Sequence, residues 1–266
     1  MVSIDQVLNI LKENEIYPDE ISEDPTFPVH NLPAIGEIGD NERSFPISIE
    51  DFFDEDYSLP SSSLDNPTFQ EWVDKIKRIT ESENSQVKER VIKRLTGKKL
   101  TTQICAWYCP IHYFGKDWGI YIKQSCVLDM ALDLATYIDT RALTLSTTEL
   151  CLKLYKASFF ILYLHEHFHH KVESFGFRLL ISSGKDKYRK YKNNVYRHTY
   201  GTNKCLEESM ANADSYKRLS EPKYSNSLGP EIRRGLRKYL KEELFIMQPP
   251  GYKEAVHYLK EKDHRE

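Results

Sequence analysis

The 266-residue chain has no apolar stretch long enough to span a bilayer. Its longest, Ala157 to Leu164, falls far short of the roughly 20 residues that a crossing helix needs. The first fifteen residues lack the basic start and apolar run of a signal peptide. Cysteine is scarce and odd in number. Cys105, Cys109, Cys126, Cys151 and Cys205 match neither a disulfide framework nor a paired CxxC zinc knuckle. Reduced, mostly buried thiols in a cytoplasmic protein are the expectation. No internal repeat is evident. A net charge of -3 gives no reason to expect a membrane, and makes a nucleic-acid partner unlikely.

That small net charge conceals an asymmetry. Residues 11–66 hold 15 Asp or Glu against two Lys or Arg, leaving 25 acids and 35 bases elsewhere. Residues 1–66 therefore read as an acidic, Pro-rich and largely irregular N-terminal segment, with a short helix at 4–14. Residues 67–266 read as the folded domain. A solvated lead-in is the default reading of the acidic segment, and a contact between it and the basic body is the alternative.

Within the body, a helix is predicted from about Pro67 to Leu95, ending at Gly97. Residues 101–114 and 118–125 are rich in β-branched and aromatic types. They predict a hairpin across Gly115-Lys116-Asp117. Helix follows at 126–139. Ser146-Thr147-Thr148-Glu149 is a capping box that opens a helix running to about Val172. The next thirty residues read as mostly loop. Helix resumes at 203–219, 230–246 and 252–262. The fold class is α+β, mostly helical.

The chemistry concentrates at His165-Glu166-His167-Phe168-His169-His170. Residues 165, 166 and 169 satisfy H-E-x-x-H. On an α-helix, positions i and i+4 share a face, so both imidazoles can reach one metal ion. The intervening Glu166 then adjoins the open coordination position, where it can act as a general base. Glu149, Lys153, Lys156, Tyr163, His167 and His170 fall along one stripe expected to face water. His167 and His170 are accordingly expected to be bystanders. His165 and His169 lie opposite, with Ser158, Ile161 and Leu162.

A third ligand is sought in Cys205-Leu-Glu-Glu-Ser-Met-Ala-Asn-Ala-Asp-Ser-Tyr216. Here the chain resembles the gluzincins, metallopeptidases with H-E-x-x-H and a downstream Glu on a second helix. The resemblance covers residues 160–216. It extends to the small intracellular proteins of the ImmA/IrrE type. It implies a zincin-like domain, a Zn2+ cofactor and hydrolysis of a protein or peptide substrate. The implied metal ligands are His165, His169 and Glu208, with Glu166 catalytic. Glu208 is favoured over Glu207, because the family pattern sets Asp or Asn four residues on and Asn212 fits Glu208. Ala211, which would pair with Glu207, cannot hydrogen-bond through its side chain.

The segment between His169 and Glu208 is longer than is usual in gluzincins and contains the basic, tyrosine-rich KDKYRKYKNNVYRHTYG. It could meet an acidic substrate, nucleic acid or the chain's own acidic segment, with a solvated loop the default. From it, His198 is the preferred donor to a developing oxyanion, with Tyr196 and Tyr200 as alternatives. Residues 118–123 are the candidate strand for holding a substrate backbone. Two competing readings remain. One is a di-iron carboxylate protein using Glu166-x-x-His169 and Glu254-x-x-His257. The other is a zinc-binding regulatory module without turnover.

Overall fold

In the computed structural model, the described residues are 29–32, 67–81, 105–114, 118–139 and 143–259. They form a mostly helical α+β architecture with a small sheet. The expected helix at 4–14, the helix continuation to Leu95 and the turn at 115–117 lie outside these residues.

The sheet has three strands in the order β1 (Val29–Leu32), β3 (Gly119–Lys123), β2 (Ala106–Cys109). The hairpin is present: β2 runs antiparallel to β3, with Tyr108 opposite Ile120. The first strand was not anticipated. It comes from the acidic segment and pairs with β3 in parallel, Val29 opposite Ile120. β3 is therefore the central strand, flanked on both sides. It is not available as the edge for a substrate backbone. Among the described residues the edges are β1 and β2, of which β2 packs on the long central helix.

The expected strand at 101–114 is also shorter. Pro110 has no N–H to continue a ladder, and Ile111–Phe114 form a helical turn instead. Its free amides are satisfied from elsewhere: Ile111 and His112 N–H donate to the Glu173 carboxylate at 3.1 and 3.0 Å.

Helix α1 spans Pro67–Glu81 and α2 spans Gln124–Ala135. The axis of the domain is α3, Thr147–Ser183, 37 residues long. Its start is as predicted, since the Ser146 hydroxyl accepts from Glu149 N–H while Glu149 accepts from Ser146 N–H. Its end lies eleven residues beyond the expected Val172. Gly184 closes it at φ 65°, a left-handed conformation that glycine adopts freely, with its N–H bonded to the Leu180 carbonyl.

Around α3 pack α1, α2, strands β2 and β3, α4 (Leu206–Arg218) and α5 (Pro230–Tyr239). Every residue from Leu154 to His167 is buried. This overturns the expected wet stripe. Lys156 and Tyr163 are buried, Lys153 donates to the Ser227 carbonyl, and His167 and His170 lie inside the protein. A periodic pattern shows which residues share a face, but a helix covered on all sides has no wet face to find.

The region after α3, expected as loop, is helical too. Lys187–Tyr191, a π-helical turn Lys192–Tyr196 and Arg197–Thr199 follow one another. Beyond α5, a π turn (Leu240–Leu244) and Phe245–Met247 extend the helix, and a 3-10 helix covers Lys253–Tyr258. All five cysteines are buried and free of disulfides. No described helix is long and apolar enough to cross a membrane.

Close packing leaves one position an unambiguous test. A Cβ on Gly235 of α5 would lie 2.4 Å from Ile138 Cδ1 and 2.7 Å from the Tyr137 carbonyl oxygen. Gly235→Ala should lower the urea midpoint by about 1–3 kcal/mol of stability through overpacking. A raised midpoint, as alanine's helix preference alone would give, would contradict this packing.

Candidate metal centre

The H-E-x-x-H residues lie midway along α3, where the helix is wholly enclosed. His165, Glu166 and His169 are all buried, and one potential ligand atom from each lies within 4.8 Å of the others. This is a group that can hold a metal ion. Helix α4 crosses it and brings Glu208 to the centre. Glu208 Oε2 lies 3.2 Å from His165 Nε2 and 3.3 Å from His169 Nε2. Glu166 Oε1 stands 3.9 Å from His165 Nε2.

The outward sides of both rings are held. His165 Nδ1 is 2.7 Å from Asn212 Oδ1, and Asn212 spends its amide N–H on the Tyr252 carbonyl at 3.0 Å. The Asn212 oxygen can therefore only accept, so His165 Nδ1 carries the proton. His169 Nδ1 lies 2.6 Å from Glu207 Oε1, again an acceptor. Both rings thus turn Nε2 inward, as metal-ligating histidines fixed by outer partners do. The adjacent acids divide the work. Glu208 faces the centre, whereas Glu207 stands behind His169.

Glu208 Oε2 is buried, and its near neighbours are the two imidazole Nε2 atoms. Two imidazole nitrogens and a carboxylate oxygen thus converge on one point. Such an arrangement can hold a metal ion.

The trio attracts positive charge. Burial opposes charge on both groups, yet Glu208 and Glu207 lift the His169 pKa well above its ordinary value, and His169 with His165 holds Glu208 well below its own. Glu166 shifts the other way. Burial raises it, with Glu208 adding, against the pull of His165, His169 and the Tyr108 main-chain amide.

The insert supplies further contacts. The Tyr196 hydroxyl donates to Glu208 Oε1, and Lys192 Nζ lies 3.4 Å from Glu207 Oε1. His198, the preferred oxyanion donor, is exposed on the next turn, and Tyr200 is also exposed. Glu254 and His257 pair with each other at 3.5 Å, His257 being largely exposed, so the second E-x-x-H is not part of this group.

Several residues around the site were not singled out in the sequence. Tyr252 stacks on His165 with centroids 5.6 Å apart. It follows Pro249-Pro250-Gly251 and carries no motif. The Tyr108 amide touches Glu166, and its hydroxyl donates to Glu173 and lies 3.1 Å from His170 Nδ1. Glu173 also binds His112 Nδ1. Its i+4 spacing from His169 was the available signal.

No family model matches the chain, and neither does any curated protein or solved structure.

His170 offers a separate test of the burial around the centre. Burial holds its pKa down to about 3, with Lys171 adding. An unfolded histidine titrates near about 6.5. Between these values the unfolded chain binds more protons, so this residue costs stability as pH falls. Asp133, pushed up to about 7, and Asp129, up to about 6, act with the opposite sign. Comparison with His170→Gln isolates the histidine. The variant should gain stability relative to wild type as pH drops from about 6.5 toward 3. Parallel urea-denaturation curves across that range would contradict it.

Proposed function

We propose that the chain is a zinc-dependent metallopeptidase whose helical domain is zincin-like and of the gluzincin type. The observation that carries this reading is Glu208 Oε2, buried 3.2 and 3.3 Å from two inward-facing imidazole Nε2 atoms. His165, His169 and Glu208 would hold the ion. Bound there, zinc would polarise a scissile carbonyl and lower the pKa of a water toward about 7.

The chain's own residues account for the rest of the chemistry. Glu166 Oε1 flanks the ligand set, and a structural site would have no use for it. Its carboxylate accepts the proton of the attacking water and passes it to the leaving amine. The Tyr108 amide holds it in place, and burial raises its pKa. Substrate backbone would run along β2, whose Tyr108 amide adjoins Glu166. His198, Tyr196 and Tyr200 all belong to the insert that borders the site. Of these, Tyr196 has its hydroxyl on Glu208, and His198 would have to turn inward to meet an oxyanion.

Glu166→Gln separates this reading from that of a zinc-binding module without turnover. It should keep one zinc per chain and lose at least about 100-fold in proteolysis, as removal of a general base does. Cleavage mapping of a proteome with wild type and variant would read the difference. An equally active variant contradicts the mechanism. His165→Ala should lose stoichiometric zinc, and retention would contradict the ligand set.

A further inference from the structure

The insert between His169 and Glu208 touches both members of the acidic pair. Glu208 has two oxygens. One, Oε1, accepts from the Tyr196 hydroxyl, and this leaves Oε2 facing the two Nε2 atoms. On Glu207, Oε1 meets His169 Nδ1 and the Lys192 ammonium, and the Tyr191 hydroxyl also bonds this carboxylate. Lys192 Nζ sits 3.2 Å over the centre of the Tyr196 ring, joining the two arms. The π-helical turn makes this possible. Its wider winding, closed by Arg197 N–H on the Lys192 carbonyl, sets Lys192 and Tyr196 side by side toward α4.

The insert is itself seated on α3. Asp186 caps its first turn at Arg189 N–H, and the buried Tyr188 packs over Gly176. A Cβ on Gly176 would stand 2.6 Å from Tyr188 Cβ, so the close approach requires glycine. Gly176 thus sets the distance between the insert and the helix carrying both histidines.

We propose that the helical insert Lys187–Thr199 is a clamp that sets the site's affinity for its divalent metal. Tyr196 and Lys192 hold Glu208 and Glu207 in the orientation where one carboxylate oxygen and two imidazole nitrogens face the metal. These are positioning residues, and the inference rests on the metal reading above. Outer partners of this kind typically govern affinity by roughly 10- to 100-fold.

The test is zinc affinity of the full chain, measured by competition with a chromophoric chelator. The visible spectrum of the cobalt-substituted protein reports ligand geometry alongside it. Tyr196→Phe keeps the ring and removes only the hydroxyl. It should weaken zinc binding roughly 10- to 100-fold and alter the cobalt bands. Glu207→Ala should weaken binding more than Glu207→Gln, which keeps an acceptor for His169. Gly176→Ala should also weaken it, although alanine favours the helix. Val195→Ala, exposed on the same turn, should behave as wild type.

Circular dichroism establishes that each variant is folded. Should Gly176→Ala fail to fold, Tyr196→Phe still decides. Zinc bound by wild type and equally well by Tyr196→Phe overturns the clamp and leaves the metal reading standing. Equal weakening in Val195→Ala overturns it as well. A wild-type chain that binds no zinc overturns the metal reading and the clamp together.

Discussion

A carboxylate oxygen buried between two inward-facing imidazole nitrogens is the constraint on which this structure turns. Left alone, Glu208 Oε2 would be a liability of several kcal/mol. Its neighbours make the position unavoidable. Asn212 and Glu207 fix the proton of each histidine on the far side of its ring, and Tyr196 takes the other Glu208 oxygen. The result is a buried group able to hold a cation.

The fold explains how such a site can be rigid. Helix α3 is buried on all sides along its middle, so neither histidine can relax toward solvent. α4 is anchored where it crosses, with Ser209 bonded to the Gly251 carbonyl at 2.5 Å and Asn212 to that of Tyr252. On the opposite flank, Glu173 ties the end of β2 to α3 through Tyr108, Ile111 and His112. Tyr108 thereby spans two turns of α3, its amide at Glu166 and its hydroxyl at Glu173. Strand, motif helix and crossing helix form one assembly around the centre.

The features legible in the sequence were local ones. His165 and His169 lie four apart on one helix, Asn212 lies four after Glu208, and Ser146 and Glu149 make their cap within a single turn. Such spacings survive without knowledge of the partner. The insert was misread because Lys, Tyr and Asn favour no element strongly. Its helices exist through Tyr188 on Gly176 and through Lys192 and Tyr196 on the two carboxylates. β1 has the same origin, since an acidic, Pro-rich stretch becomes a strand only when β3 supplies a ladder. The wet face assigned to His167 and His170 failed because Arg218 covers His167, 3.1 Å from its Nδ1, and Tyr108 and Trp118 cover His170.

The gluzincin resemblance rests on a few residues and their geometry, and the metal is the point at which it can be tested directly. A crystal of the zinc-loaded protein, measured on both sides of the zinc absorption edge, provides the test. The account predicts a single anomalous peak about 2.0–2.2 Å from His165 Nε2, His169 Nε2 and Glu208 Oε2. A zinc-loaded crystal with no peak there, or with its peak at other residues, would contradict it.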